Sequence, residues 1–146
     1  MGRENRVAEP VRRQDLLSRL REAQQQHGYV PEEVMEELAQ ALDIPIHEVY
    51  GVVSFYSFLS ARPLGRNVIR VCKSLPCYLK HSELIIDALK KELGIAPGET
   101  TPDRRFTLQL TNCIGLCDQA PAMLVNYDAH GDLTPDKIKK LLKEYK

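Results

Sequence analysis

Four cysteines are the residues of this chain whose type and spacing are best suited to chemistry. Cys72 and Cys77 have four residues between them, Cys113 and Cys117 have three, and 35 residues separate the two pairs. Disulfides are rare in a reducing cytoplasm, where thiols stay free, and the sequence gives no sign of secretion. The two pairs therefore indicate metal binding or thiol redox chemistry rather than a disulfide framework.

Three kinds of site are compatible with this spacing. A single zinc ion needs four sulfurs about 2.3 Å from one point, usually presented on tighter Cys-x-x-Cys turns. A [2Fe–2S] cluster has two irons that each take two thiolates, so two separate cysteine pairs can approach it from both ends. A dithiol–disulfide couple is the third option, although the Cys-x-x-Cys redox motif is absent. The spacing favours the binuclear cluster and leaves zinc as the main alternative.

Two residues inside the cysteine loops support this interpretation. Gly115 lies between Cys113 and Cys117 and allows the backbone to turn its N–H groups toward sulfur. Pro76 precedes Cys77 and fixes the other loop. Each of these residues is equally consistent with an ordinary turn.

The second half of the chain has the pattern of a β-α-β-β-α fold. Strands are predicted over 67–71, 106–110 and 122–125, a helix ends at Gly94, a turn covers 128–131 and a last helix begins after Thr134. Each cysteine pair begins just after a predicted strand. Because ligands of α/β sheets lie beyond the carboxyl ends of the strands, two adjacent parallel strands would bring both pairs to one edge.

The first half is predicted to be helical. Apolar residues recur at helical spacing over 11–27 and 31–42, while 46–59 could be helix or strand and has the start signals of a short helix. Residues 1–10 are polar and predicted to be frayed, and the Pro- and Gly-containing run 60–66 is a linker. We therefore predict an α+β or α/β chain, with an N-terminal three-helix bundle over 1–60 and a second domain over 67–146.

Composition excludes several functional classes. Twenty Lys and Arg residues balance twenty Asp and Glu residues, which argues against nucleic-acid binding through bulk positive charge. No apolar run approaches the roughly 20 residues that span a bilayer, so we expect no direct membrane insertion. The opening residues lack the apolar core of a secretory signal, and they include Glu4 and Glu9, which mitochondrial presequences tend to avoid. We expect a cytoplasmic protein, with a peripheral position at a membrane, through partner subunits, as the alternative.

Several runs resemble a known family. They are Cys72-Lys-Ser-Leu-Pro-Cys77, Thr111-Asn-Cys113-Ile-Gly-Leu-Cys117-Asp-Gln-Ala-Pro121, Gly28-Tyr-Val-Pro31, Val49-Tyr-Gly-Val-Val-Ser-Phe-Tyr56 and Gly98-Glu-Thr-Thr-Pro102. Together they resemble the thioredoxin-like [2Fe–2S] ferredoxin subunit of NADH dehydrogenases, and the likeness covers about residues 12 to 146. This subunit also has close relatives in NAD-linked hydrogenases and formate dehydrogenases.

The resemblance implies a site, a fold and partners. It implies a thioredoxin-like second domain and one [2Fe–2S] cluster ligated by Cys72, Cys77, Cys113 and Cys117. It places NAD and FMN on a separate flavoprotein subunit, with further iron–sulfur subunits in the same complex. The family often has Cys-x-Gly-Thr-Ala-Cys where this chain has Lys73 to Pro76, a departure that bears on the cluster's potential more than on its presence. This chain has neither a G-x-G-x-x-G motif after a strand nor a P-loop, so no known fingerprint predicts dinucleotide binding.

The expected function is therefore electron transfer in an NADH-linked, flavin-containing oxidoreductase complex. Within that class a soluble NAD-dependent hydrogenase or formate dehydrogenase, including electron-bifurcating forms, is preferred over respiratory complex I. The alternative from another class is a zinc-stabilised interaction module.

Two further groups of residues have open interpretations. The histidines are predicted to be surface or capping residues, with His81 close enough to Cys77 in sequence to lie near the cluster; they are His27, His47, His81 and His130. The aromatic residues Tyr50, Phe55, Tyr56 and Phe58 are predicted to be core, with a docking face for the flavoprotein as the alternative.

Overall fold

The computed structural model describes residues 12–145, which form two compact units divided between Pro63 and Leu64. The predicted fraying of residues 1–10 lies outside the described residues. The fold combines helices with a four-stranded mixed sheet, as the α+β prediction requires.

The first unit contains three α-helices, as predicted. After a short 3-10 turn at Arg13–Asp15 they are α1 (Leu16–His27), α2 (Glu32–Leu42) and α3 (Ile46–Phe55). The ambiguous segment from residue 46 is thus a helix over its first ten residues. Helix α1 ends at Gly28 and α2 at Asp43, both in the left-handed conformation that commonly closes a helix.

The core of the first unit corrects one prediction. Helix α3 turns Val49 and Val53, four residues apart, into the buried cluster. Tyr50, Phe55 and Phe58 lie away from that stripe and are 55%, 79% and 40% exposed, so the core interpretation is wrong for them. Tyr56 is partly buried against the cluster, as predicted.

The second unit contains the sheet, three α-helices and a short 3-10 turn at Cys117–Gln119. Its elements are β1 (Asn67–Cys72), α4 (Leu75–Leu79), α5 (Ser82–Leu93), β2 (Phe106–Thr111), β3 (Met123–Val125), β4 (Asp128–His130) and α6 (Pro135–Glu144). The strand order is β2-β1-β3-β4, with β1 parallel to β2 and β3 antiparallel to both of its neighbours. Thr134 caps α6 as predicted, because its hydroxyl accepts the Lys137 N–H at 3.2 Å.

Two short elements of this unit differ from the predictions. Strand β4 occupies residues that were predicted to form a turn, and it pairs with β3 through a two-residue hairpin loop in which Asn126 has a φ of 56°. Helix α4 occupies part of the predicted cysteine loop, with Pro76 in its first turn, where proline is tolerated. Cys77 therefore lies on a helix.

The sheet has two chemically different faces. One face packs against α5 and α6 and forms the core; its residues are Ile69, Val71, Phe106, Leu108, Met123 and Val125. Because side chains alternate along a strand, the intervening residues lie on the opposite face, which we call the cysteine face. Its residues are Val68, Arg70, Cys72, Thr107, Gln109, Thr111 and Leu124. Among residues 12–145, no helix is both long enough and apolar enough to cross a membrane.

Candidate functional site

The two cysteine pairs meet at one edge of the sheet. Strands β1 and β2 are parallel neighbours, and their last residues, Cys72 and Thr111, are aligned. The Lys73 N–H donates to the Thr111 carbonyl at 2.9 Å, which holds the two strand ends together. Cys113 follows β2 by two residues, so the convergence expected from parallel strands is confirmed.

The first pair is buried. Cys72 and Cys77 are each only 1% exposed and pack with Ala122, and the partly buried Ile114, Leu116 and Ala120 surround them. Burial is the main cause that raises the pKa of the Cys77 thiol, and a hydrogen bond with Cys72 raises it further. The Cys72 N–H donates to the Ala122 carbonyl at 3.1 Å, which ties this end of β1 to the chain entering β3.

The second pair is exposed. The sulfurs of Cys113 and Cys117 are 3.3 Å apart. Gly115 has a φ of 84° and donates its N–H to the Cys113 sulfur at 3.4 Å, as the sequence predicted. This backbone hydrogen bond is the main cause that lowers the pKa of Cys113. The hydrogen bond with Cys113 is the main cause that raises the pKa of Cys117.

Electrostatic coupling joins the two pairs into one site. The negative charge of Cys117 contributes to the raised pKa of Cys77, and that of Cys72 contributes to the raised pKa of Cys117. Across residues 12–145, no three His, Cys, Asp or Glu side chains are grouped as they would be around a single metal ion. The sulfurs are arranged as one buried and one exposed pair, with an amide N–H directed at sulfur. This donor set fits a binuclear cluster held from two ends.

The histidines occupy the predicted surface or capping positions. His27 and His47 are exposed. His81 is also exposed and precedes α5 with a φ of 62°. His130 is partly buried, and its Nε2 lies 2.8 Å from the Tyr145 hydroxyl oxygen.

Arg70 is a partly buried charged residue of the sheet that sequence reasoning missed. It lies in β1 two residues before Cys72 and on the same face, and its Nε is buried without a hydrogen-bond partner among the described residues. Burial is the main cause that lowers its pKa from the ordinary arginine value. The available signal was an arginine inside an otherwise apolar strand that ends at a cysteine.

Comparison with known proteins identifies the family. The family model for thioredoxin-like [2Fe–2S] ferredoxins matches residues 5–146. The chain belongs to this family. Membership indicates a [2Fe–2S] cluster rather than zinc or a thiol–disulfide couple, and the thioredoxin-like fold expected from the sequence is confirmed.

Individual relatives of this ferredoxin come from two kinds of complex. It is 43% identical over 129 residues to a subunit of the NADH-quinone oxidoreductase of Pseudomonas aeruginosa, a match that covers 88% of this chain and 78% of that protein. It is 38% identical over 136 residues to HndA, a subunit of the NADP-reducing hydrogenase of Solidesulfovibrio fructosivorans, covering 93% and 80%. A crystal structure of an NAD+-reducing [NiFe]-hydrogenase is similar with a TM-score of 0.74 at 27% identity, over 90% of this chain. This chain spans 22% of the length of that hydrogenase chain.

Proposed function

We propose that this ferredoxin is a one-electron relay subunit of an NADH-linked, flavin-containing oxidoreductase complex. Its cluster is ligated by Cys72, Cys77, Cys113 and Cys117. The observation that carries the proposal is the meeting of the two cysteine pairs at the aligned ends of β1 and β2. A [2Fe–2S] cluster, when bound there, accepts and releases single electrons.

The two cysteine pairs have different roles at the two ends of the site. Cys72 and Cys77 hold the buried end, where Ala122, Ile114 and Leu116 exclude water. Cys113 and Cys117 hold the exposed end, which gives a partner's cofactor a short path to the cluster. The Gly115 N–H stabilises negative charge on the Cys113 sulfur. The protein therefore positions and tunes the cofactor, and the redox chemistry belongs to the cofactor itself.

The hydride chemistry is assigned to other subunits. Because the chain lacks a dinucleotide-binding fingerprint, NADH and FMN are proposed to bind a separate flavoprotein subunit, with further iron–sulfur subunits in the same complex. The flavoprotein subunit oxidises NADH, which is a two-electron donor, and passes the electrons one at a time to this ferredoxin.

The similarities favour NADH-quinone oxidoreductase as the host complex. Identity to the matching subunit of that complex is 43% in Pseudomonas aeruginosa and 44% in Escherichia coli, against 38% for the hydrogenase protein HndA. The preference for a hydrogenase or formate dehydrogenase drawn from the cysteine loops is therefore less well supported. A hydrogenase remains the second candidate, because HndA matches 93% of the chain and a hydrogenase structure shares its fold.

Purification of the complex around this chain tests the proposal. A tagged chain, isolated anaerobically from its native cells, is expected to carry with it a subunit containing FMN. Adding NADH to this complex should bleach the visible absorption of the cluster and produce its electron paramagnetic resonance (EPR) signal, whereas the chain alone should not respond to NADH. A complex without flavin, or one whose cluster NADH leaves oxidised, would contradict the proposal. Measuring whether the complex reduces quinone or oxidises hydrogen distinguishes NADH-quinone oxidoreductase from a hydrogenase as its host.

A further inference from the structure

The connection between β4 and α6 runs beside the loop that carries Cys117. This connection comprises residues 131–133, and we call it the supporting segment. Its Asp132 N–H donates to the Gln119 carbonyl at 2.6 Å. Gln119 ends the 3-10 turn that begins at Cys117, so this hydrogen bond holds the chain two residues from a proposed cluster ligand.

A second hydrogen bond joins the supporting segment to the same loop. The Leu133 N–H donates to the Pro121 carbonyl at 3.1 Å. Asp132 has a φ of 48°, and in this left-handed conformation the consecutive N–H groups of Asp132 and Leu133 both reach carbonyls of the loop. Leu133 is buried in the core of the second unit, and Thr134 caps α6 directly after it. The segment is therefore anchored and can hold the loop in a fixed position.

Gly131 allows the supporting segment to come this close to the loop. A Cβ at residue 131 would lie 2.5 Å from the Cβ of Gln119 and 2.9 Å from its carbonyl oxygen. Both atoms are fixed to the backbone of residue 119, so they cannot rotate away as the end of a side chain can. The φ of Gly131 is outside the left-handed region, so glycine is required here by space and not by backbone conformation. Any larger residue is expected to move the turn that carries Cys117.

The position of Cys117 depends on its backbone more than the positions of the buried cysteines do. Cys72 and Cys77 are held by close packing with Ala122. Cys113 and Cys117 are exposed, so few surrounding side chains fix them. Mutating the groups that orient a metal ligand typically changes metal affinity about 10–100-fold. For Cys117, the groups in that position are the N–H donors of the supporting segment.

We propose that Gly131 and Asp132 are positioning residues for the ligand Cys117. The inference rests on the proposed function, because it requires Cys117 to bind the cluster. Gly131 supplies the space and Asp132 the left-handed turn, and together they allow the segment to hold Gln119. A shift of the turn moves the Cys117 sulfur relative to that of Cys113, and the geometry of the cluster's ligands changes with it.

Gly131→Ala tests the proposal, with Gly65→Ala as the matched control. Both variants add a methyl group within 3.0 Å of a backbone atom of the second unit. The six residues of β1, about 20 Å, separate Gly65 from the cysteine end of the strand. In the full chain, prepared without oxygen and reduced, Gly131→Ala is expected to change the g-values of the EPR signal and to lose iron to a chelator about tenfold faster. Gly65→Ala should be destabilised but keep the g-values of the unmodified chain.

A second pair of variants tests the left-handed turn at Asp132. Asp132→Val and Asp132→Gly lose the same carboxylate, but a β-branched residue is strained at a φ of 48° whereas glycine is not. Asp132→Val should therefore change the EPR signal and speed the loss of iron, while Asp132→Gly should match the unmodified chain. This pair decides the question if Gly131→Ala fails to fold.

Failure of this inference is distinguishable from failure of the proposed function. Unchanged g-values and iron loss in Gly131→Ala would show that the supporting segment does not position Cys117. An equal change of the g-values in Gly65→Ala, or equal effects of the two Asp132 variants, would also overturn the inference, because a general loss of stability would then explain the result. In each of these cases the unmodified chain still contains iron and sulfide, whereas their absence from it would overturn the proposed function instead.

Discussion

Gly115 controls the surroundings of one sulfur through its backbone alone. Its φ of 84° is costly for residues with a Cβ, and it directs the N–H at the Cys113 sulfur. Hydrogen bonds to ligand sulfurs are one of the factors that set the potential of an iron–sulfur cluster. We therefore expect the backbone conformation of this one residue to affect the reduction potential of the proposed cluster.

Gly115→Ala should lower both the stability and the reduction potential. The Cβ is strained at this φ by about 1–2 kcal/mol, and relief of that strain moves the N–H away from sulfur. Gly98→Ala is the matched control, because Gly98 has a φ of 94°, equally open surroundings and no place in the cysteine loops. Denaturation and EPR-monitored redox titration should show destabilisation in both variants but a lower potential only in Gly115→Ala. A potential that stays unchanged in Gly115→Ala would show that this hydrogen bond does not tune the cluster.

Cys113→Ala should abolish cluster binding or leave it disordered. The variant removes one of the four proposed thiolate ligands, at the exposed end of the site. Visible absorption and bound iron should therefore both fall sharply. His130→Ala is the control, because the Nε2 of His130 contacts the Tyr145 hydroxyl, and its spectrum should be unaltered. A full iron complement in Cys113→Ala would show that the ligand assignment is wrong.

At the scale of elements, two parallel strands of matched length bring the cysteines together. This part was predictable, because Val68, Ile69 and Val71 mark β1, which ends in Cys72. Phe106 and Leu108 likewise mark β2, which ends two residues before Cys113. Three-residue β4 and five-residue α4 were not predictable, since such short segments contain too few residues to show a period. Hydrophobicity alone also placed Tyr50 and Phe55 in the core, whereas the helical geometry of α3 gives that position to Val49 and Val53.

The start of β1 depends on a close approach at Gly65. A Cβ there would lie 2.8 Å from the backbone carbonyl carbon of Phe106 and 3.1 Å from the Arg104 oxygen. The Gly65 N–H also donates to the Thr107 hydroxyl at 2.6 Å, which keeps the two segments together. Backbone atoms cannot rotate away as a flexible side chain can, so the contact excludes larger residues.

Gly65→Ala should lower the free energy of unfolding by about 1–3 kcal/mol, because the added methyl group forces the strand ends apart. Gly51→Ala, within α3 and facing open space, should be neutral or stabilising by about 0.5–1 kcal/mol. Chemical denaturation of the three proteins measures both values. Equal stabilities for Gly65→Ala and the unmodified chain would contradict the packing described at β1.

At the scale of the whole molecule, the chain contains two units with separate cores. Leu20, Val30, Val49 and Val53 are fully buried in the first, and Ile69, Leu89, Leu108 and Ile138 are among those in the second. The cysteines all belong to the second unit. With the proposed ligands, the cluster is tied to the stability of the second unit only.

Removing the cluster should loosen the second unit selectively. Metal binding contributes to the stability of the fold around it, and with the proposed ligands the cluster would join the end of β1 to the loop after β2. Hydrogen exchange after anaerobic chelation of the iron should speed up at the ends of β1 and β2 and remain unchanged in α1 and α2. Uniform acceleration in both units would mean that the cluster does not act locally.

The central claim is that one [2Fe–2S] cluster lies between the two cysteine pairs, and elemental analysis tests it most directly. Iron, acid-labile sulfide and zinc should be measured per chain in protein purified without oxygen. The expected result is two irons and two sulfides per chain, with no zinc. One zinc per chain without sulfide, or no bound metal, would contradict the claim.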